Sequence, residues 1–125
     1  MSFQEWFKTT VAVTLPGDPD PVLRPRQYRE PPEALLQEVR KTVSALSGWA
    51  WAETREVQGR IRLTHRSWLP IGAQDIHVYV VRGQDGVTRL EAVSQSRSSR
   101  GDFGQNRRNL KALLVRLDRE VPPLT

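Results

Sequence analysis

The middle of the chain constrains the fold most, because four segments there alternate apolar and polar residues at the period of a β-strand. The predicted strands cover residues 49–56, 60–66, 75–82 and 87–96. Turn residues separate these segments, and Asp85-Gly86 is a strong signal for a tight hairpin. Since the connections are short, we expect consecutive strands to pair antiparallel and to form a meander.

Two stripes of apolar residues at helical spacing flank this block. The first follows prolines at 31–32, which suit a helix start, and stops at Gly48. The second follows Asp102, a predicted N-cap, and Gln105 completes a capping-box pattern. We therefore predict an α+β fold. An antiparallel four- to five-stranded meander sheet carries two amphipathic helices, N-terminal and C-terminal, packed on one face.

The first 30 residues have a different pattern. A short strand is predicted near Val11, Val13 and Leu15, and most of the prolines fall in residues 16–32. Proline fixes φ and removes a backbone donor, so we expect this stretch to be an extended connector outside the core. The predicted organisation is a strand and Pro-rich connector over residues 1–30, then a single α+β domain over residues 31–122.

Residue types that are absent exclude several kinds of site. The chain has no cysteine, which excludes a disulfide scaffold, a thiolate zinc site and a cysteine nucleophile. Glu5 and Lys8 interrupt the N-terminal segment, so we do not expect a secretory signal. No apolar run approaches the roughly 18 residues that a membrane helix needs. We expect a soluble, cytoplasmic protein that has no membrane partner.

Positive charge exceeds negative charge, with 19 Lys and Arg against 14 Asp and Glu and a formal net charge of +5. Most of these cations are arginines, whose planar guanidinium groups bind carboxylates and phosphates in a bidentate manner. The charge therefore permits an anionic partner such as nucleic acid, a phosphorylated ligand or an acidic protein. The simpler interpretation, which we prefer, is a solvated basic surface with internal Arg–carboxylate pairs.

Residues 94–109, which read SQSRSSRGDFGQNRRN, are the part of the chain richest in chemically useful side chains. They lie where the last predicted strand leads into the last helix. Asp102 is expected to cap that helix, while Arg97 is within reach of Asp102 or of Asp75 on the neighbouring strand. Asn106 is expected to bond the incoming loop. This set predicts a polar network that locks the strand–helix corner.

The same corner also permits anion binding. Ser96, Arg97 and Arg100 precede a helix N-terminus, which is a favourable setting for a phosphate or a carboxylate. The carboxylate of Asp102 would compete with such an anion. The structural role therefore ranks ahead of anion binding.

The motif Ser96-Arg97, Asp102, Gly104 and Asn106, placed after a strand and opening the last helix, resembles the signature of domain-of-unknown-function family 1499. That signature reads Ser-Arg-x-Gly-x-x-Asp-x-Gly-x-Asn. The resemblance covers roughly residues 32–120. It implies a fold and a site at the corner, but it assigns no chemistry to that site.

Several positions depart from the family pattern. Ser99 stands where the family glycine is expected, and Val93 where an arginine often precedes the serine. Gln74-Asp75 replaces an Asp-Asp pair one hairpin earlier, and Asn109-Leu110 replaces an Arg-Ile pair. The usual N-terminal Pro-Asn-Cys segment is not visible. The resemblance is therefore to a divergent member of the family.

Catalysis and nucleic-acid binding have weaker support. His65 and His77 are the two histidines, and each lies in a predicted strand with no spacing typical of a metal pair. We therefore name no catalytic residue, no metal ligand and no cofactor, and lean against an enzyme. An arginine-rich sheet face could follow the phosphates of a nucleic acid. The residues of that predicted face are Arg60, Arg62, Arg66, Arg82 and Arg89.

The leading hypothesis is a non-enzymatic binding or interaction domain that uses the corner at residues 94–109. An enzyme or small-ligand protein that acts on an anionic molecule at the same corner ranks second. Nucleic-acid binding through the arginine face ranks third. The residues of the predicted binding site or structural network are Asp75, Ser96, Arg97, Arg100, Asp102 and Asn106.

Overall fold

The computed structural model describes residues 11–53, 59–67, 72–97 and 104–124. Within these ranges the α+β fold comprises six strands, two α-helices and one 3₁₀ turn. The strands are β1 (Val11–Val13), β2 (Arg26–Tyr28), β3 (Trp49–Glu53), β4 (Arg60–Arg66), β5 (Ala73–Arg82) and β6 (Thr88–Ser96). The helices are α1 (Pro32–Ala45) and α2 (Gln105–Glu120), and the 3₁₀ turn is Pro21–Leu23.

The strands form one antiparallel sheet in the order β1-β6-β5-β4-β3. Strands β3 to β6 are neighbours in chain order, which confirms the predicted meander. The sheet is larger than the meander because β1 and β2 both pair with the outer side of β6. Val13 lies opposite Val93, and Arg26 lies opposite Leu90. The N-terminal segment therefore forms an edge of the sheet in two pieces.

The two helices cover one side of this sheet, as the apolar stripes predicted. Their buried residues face alternate positions of the strands, where the side chains point away from solvent. We call this side of the sheet the helix side and the opposite side the open side. The core on the helix side includes Leu35, Leu36, Val39 and Val43 of α1, Leu110, Leu113, Leu114 and Leu117 of α2, and Ile61, Leu63, Ile76, Val78, Val80 and Leu90 of the sheet.

The turn between β5 and β6 is the hairpin that Asp85-Gly86 predicted. The backbone N–H of Gly83 donates to the carbonyl of Val87 at 2.9 Å. Gly86 has a φ of +78°, a value that side chains with a Cβ rarely adopt. The Oδ1 atom of Asp85 accepts a hydrogen bond from the backbone N–H of Val87 at 3.0 Å. The local residues therefore fix the register of the longest strand pair.

The expectation that residues 16–32 lie outside the core is wrong. Leu23 and Tyr28 are buried, and β2 contributes a strand to the sheet. The prolines lie in the connections around β2 and outside the strand itself, so they remove no donor from its ladder. The segment thus turns back along the sheet edge and closes one end of the core.

The predicted capping box at the start of the second helix is also wrong. The N-cap residue is Gly104, in the left-handed region with a φ of +81°, and Gln105 is the first helical residue. The Nε2 atom of Gln105 donates to the Oδ1 of Asn109 at 2.7 Å and so points along the helix. Asp102 lies outside the described residues.

Ion pairs fasten the Pro-rich segment to α2. Arg107 donates to both carboxylate oxygens of Asp18, at 3.0 and 3.1 Å, and Lys111 lies 2.9 Å from a carboxylate oxygen of Asp20. The hydrogen bonds from Arg107 lower the pKa of Asp18 below its ordinary value of 3.8, although burial acts in the opposite direction. This segment is therefore held by charge as well as by its buried residues.

The lowered pKa of Asp18 predicts an acid-dependent loss of stability. The ionised carboxylate stabilises the folded state above an ordinary pKa of 3.8, and this contribution is lost as the pH falls through the lower folded-state value. We expect Asp18→Asn to lower the free energy of unfolding near neutral pH, and the difference from wild type to shrink as the pH falls below 3.8. Urea unfolding at a series of pH values measures both. Glu120→Gln, at an exposed carboxylate, is the control, and a difference that does not change with pH would contradict the prediction.

Candidate functional site at the strand–helix corner

The sheet divides the predicted corner into two parts, because successive residues of a strand point to opposite sides. Asp75 of β5 and Arg97, just after β6, lie on the open side. Ser94 and Ser96 of β6 point to the helix side, where Ser94 and Asn106 are completely buried. The predicted site is therefore two separate sets of side chains, back to back across the sheet.

On the open side, Arg97 and Asp75 form a bidentate ion pair. The Nε and Nη2 atoms of Arg97 donate to the two carboxylate oxygens of Asp75 at 3.1 and 3.0 Å. The hydrogen bonds from Arg97 lower the pKa of Asp75, and the same contact raises the pKa of Arg97. The arginine side chain is 52% exposed, so water screens the pair and its contribution to stability is small.

On the helix side, Ser94, Ser96 and Asn106 form the first half of a buried polar network. The Ser94 hydroxyl donates to the Oδ1 of Asn106 at 2.6 Å. The Nδ2 of Asn106 donates to the Ser96 hydroxyl at 2.9 Å. These bonds satisfy polar groups that would be costly to bury alone. They fix the first turn of α2 against the end of β6.

Gln74, Asn109 and His65 form the second half of this network. The Nδ2 of Asn109 donates to the Oε1 of Gln74 at 3.0 Å, and the Nε2 of Gln74 donates to the carbonyl of Gly72 at 3.0 Å. The same Oε1 lies 2.7 Å from the Nδ1 of His65. Since a carbonyl oxygen only accepts, His65 carries its hydrogen on Nδ1. The network therefore extends from α2 across β6 and β5 to β4.

The arrangement of these groups indicates a structural role, in which hydrogen bonds join α2 to the sheet. The atoms of the network hydrogen-bond to one another within the core. On the open side, Arg97 is already paired with Asp75. Among the described residues, no cluster of three or more His, Asp or Glu side chains could hold a metal ion. Arg100 and Asp102, which the anion-binding hypothesis needs, lie outside the described residues.

Sequence reasoning missed Ser94, Gln74 and Asn109 as members of this network. Each is a polar residue at a position where the strand or helix periodicity points into the core, and each is almost completely buried. A polar residue in phase with a buried apolar stripe is itself a signal, because burial requires a hydrogen-bond partner. Three such positions at the same end of the sheet indicate a shared network.

The polar motif at this corner lies within a region that matches a known family. Residues 3–117 match the model of a family described as "Protein of unknown function (DUF1499)". The chain belongs to this family. The match begins well before residue 32, where the resemblance of the motif alone placed its start, and so includes β1 and β2. No curated protein matches the chain.

Exposed apolar side chains distinguish the open side of this DUF1499 domain. Val11 and Val13 of β1 are 39% and 40% exposed, and Tyr79 and Val81 of β5 are 36% and 54% exposed. All four occupy strand positions whose side chains point away from the helices. We call this surface the open face. Exposed apolar side chains that share one side of a sheet are typical of surfaces that bind other molecules.

The structure brings four of the five predicted arginines to the open face. Arg60 lies opposite Tyr79, Arg62 opposite His77 and Arg66 opposite Ala73 in the β4–β5 ladder. Arg89 lies opposite Val81 and forms an ion pair with Asp85 at 2.8 Å.

The fifth arginine is on the other side of the sheet. Arg82 lies opposite Thr88, a residue buried on the helix side, and is in phase with Val78 and Val80. Alternation along β5 therefore separates Arg82 from the other four.

No helix among the described residues is both long and apolar enough to cross a membrane.

Proposed function

We propose that this protein is a non-enzymatic interaction domain that binds a partner protein on the open face. The supporting observation is that Val11, Val13, Tyr79 and Val81 expose apolar side chains on the same side of the sheet, opposite the side that α1 and α2 cover. The helices α1 and α2 pack on the other side of the sheet, and a sheet side that faces solvent is expected to be mainly polar unless it has a binding role.

Charge defines the chemistry of the proposed partner. Arg60 and Arg66 are exposed on the open face and form no ion pair with another described residue. A partner with an apolar centre and an acidic rim would complement this surface. A second copy of the chain would bring arginines against arginines, which disfavours self-association through this face.

In this proposal, the corner at residues 94–109 stabilises the strands that form the open face. The buried network holds the ends of β5 and β6 against α2, and the Asp75–Arg97 pair borders the open face. The corner thereby sets the relative positions of the strands that present the apolar residues. A binding surface on strands of a rigid scaffold loses little conformational entropy when it binds.

The other two hypotheses have less support. Proteins that bind single-stranded nucleic acid stack bases on aromatic side chains, whereas the open face offers mainly valines besides Tyr79. A site for an anionic molecule at the corner needs a free cation, and Arg97 is already bound to Asp75. Nucleic-acid binding is one outcome of the experiment below.

The test compares open-face variants with a matched variant on α2. Partners captured from lysate by the tagged wild-type domain are identified, purified and titrated by calorimetry. We expect Val13→Lys to weaken binding of the true partner by at least about tenfold, because it replaces an exposed apolar side chain of the open face with an unpaired charge. Arg60→Glu should also weaken binding and reduce its dependence on salt. Arg119→Glu, at an exposed helix position, should leave the affinity unchanged.

Three results would contradict the proposal. One is a partner whose affinity is the same for wild type, Val13→Lys and Arg60→Glu. Another is salt-dependent binding of single-stranded oligonucleotides that Val13→Lys strengthens, since added positive charge favours phosphates. Sedimentation of the wild type tests self-association, and a dimer that Val13→Lys dissociates would also overturn the proposed heterologous partner.

A further inference from the structure

A cleft of about 510 Å³ opens at the edge of the sheet where β1 ends and β2 begins. Both strands pair with β6, and Glu91 lies between the β6 residues that pair with β1 and those that pair with β2. The C-terminal end of the chain closes the cleft on the helix side through Pro123. Its volume lies within the range of sites that bind small organic molecules.

The walls of this cleft are apolar and stiff. They come largely from the Pro-rich segment of residues 16–32. Proline rings lack a backbone donor and lock φ, so they present fixed apolar surfaces. The apolar lining residues are Pro16, Pro21, Val22, Pro25 and Pro123.

A bidentate ion pair lies at the base of the cleft. Arg26 is almost fully buried and donates to both carboxylate oxygens of Asp118, at 3.1 and 2.9 Å. Its Nη1 atom also donates to the backbone carbonyls of Arg24 and Pro21. The base is therefore rigid and neutral, so it positions the walls without attracting a charged ligand.

The lining also includes three charged side chains outside the ion pair at the base. Arg24 donates from its Nε to the carbonyl of Asp18 at 2.8 Å, and it forms no ion pair with another described residue. Glu91 is exposed and likewise has no ion-pair partner among the described residues. Arg89, the third charge at the rim, is bound to Asp85. The cleft thus offers one cation and one anion around an apolar body.

We propose that this cleft binds a small zwitterionic molecule with an aromatic body, the chemical class of the free aromatic amino acids. The ligand's carboxylate pairs with Arg24 and its ammonium group with Glu91, while the ring packs on the prolines. Each ion pair at the rim is oriented by the rigid apolar wall, so a ligand that carries both charges gains from both contacts.

The experiment titrates three probes into the isotope-labelled full chain and follows backbone amide shifts of Val22, Gln27 and Glu91. The probes are phenylalanine, 3-phenylpropanoate and phenethylamine, which share the ring but carry both charges, the negative charge and the positive charge respectively. We expect phenylalanine to bind tightest. Arg24→Gln should weaken phenylalanine and 3-phenylpropanoate by about tenfold, which corresponds to about 1.4 kcal/mol, and leave phenethylamine unchanged. Glu91→Gln should weaken phenylalanine and phenethylamine instead.

The matched control is Arg82→Gln, an exposed arginine outside the cleft, which should change none of the affinities. Equal affinities for the three probes, shifts confined to other residues or no shift at all would overturn the proposal. Both rim residues are exposed, so their substitution should preserve the fold, which the unchanged amide spectrum verifies. Val13→Lys should leave ligand binding intact, which separates this site from partner binding on the open face.

Discussion

Replacing Asp118 with alanine is expected to lower the free energy of unfolding by about 3 kcal/mol. The carboxylate is the counter-ion of Arg26, whose side chain is only 5% exposed and ties β2 to α2. Without Asp118, the guanidinium keeps its bonds to backbone carbonyls but loses the charge that offsets its desolvation. Urea denaturation of wild type and Asp118→Ala at neutral pH measures the difference.

Two controls make this result specific to the buried pair. Arg89→Ala removes one partner of an exposed pair with Asp85, and it should have little effect because water screens that pair. The double variant Arg26→Met with Asp118→Leu should recover much of the lost stability, since it removes the buried charge with its partner. If Asp118→Ala and Arg89→Ala were equally mild, the buried pair would not be what holds β2 on the core.

Replacing Asn106 with alanine is expected to have an effect of similar size, a loss of about 2–4 kcal/mol. The Ser94 hydroxyl is completely buried and would lose the acceptor that lies 2.6 Å away. The hydroxyl of Ser96 would lose a donor, and the truncated side chain would leave a cavity under the first turn of α2. Chemical denaturation gives the loss of stability.

A double-mutant cycle shows whether the network or the cavity causes this loss. Ser94→Ala combined with Asn106→Ala should cost less than the sum of the two single substitutions, because it removes both partners of one hydrogen bond. Arg97→Ala is the comparison on the open side and should change stability little, given its exposure. Additive effects of Ser94→Ala and Asn106→Ala would contradict a coupled network.

Substitutions at Asn106 and Arg97 distinguish residues that stabilise the fold from residues that form part of a surface. The family motif includes Asn106, which lies in the buried polar network, and Arg97, which lies in an exposed ion pair. We expect substitution of Asn106 to lower stability and substitution of Arg97 to change it little. That result would show that the motif contains both residues that stabilise the fold and residues that form part of a surface. The proposed partner surface and cleft then lie on residues outside the motif.

Much of the fold was predictable because it depends on local periodicity. The alternation in residues 60–66 predicted β4 with the bounds that the structure has. The Asp85-Gly86 turn determined the β5–β6 hairpin, because the left-handed conformation of Gly86 is a local requirement. The apolar stripes predicted which faces of α1 and α2 are buried.

The errors occurred where distant contacts outweigh local preferences. Arg26 reads as a surface residue in a proline-rich connector, yet Asp118, far along the chain, holds it in the core. The first helical turn of α2 begins after Gly104 and not at a capping box, and Gln105 bonds Asn109 instead of closing the box. These outcomes depend on which surfaces meet, and local sequence does not encode that.

The sequence by itself determined the meander, the two helices and the family, because periodicity, turn chemistry and a spaced polar motif are properties of neighbouring residues. Only the tertiary structure decided which side of the sheet each corner residue occupies, since one residue of shift along a strand reverses the side. It also decided that β1 and β2 share one edge of β6 and leave a cleft between them. Such a cleft arises because segments far apart in the chain pair with each other, and their burial and ion pairs depend on the folded arrangement.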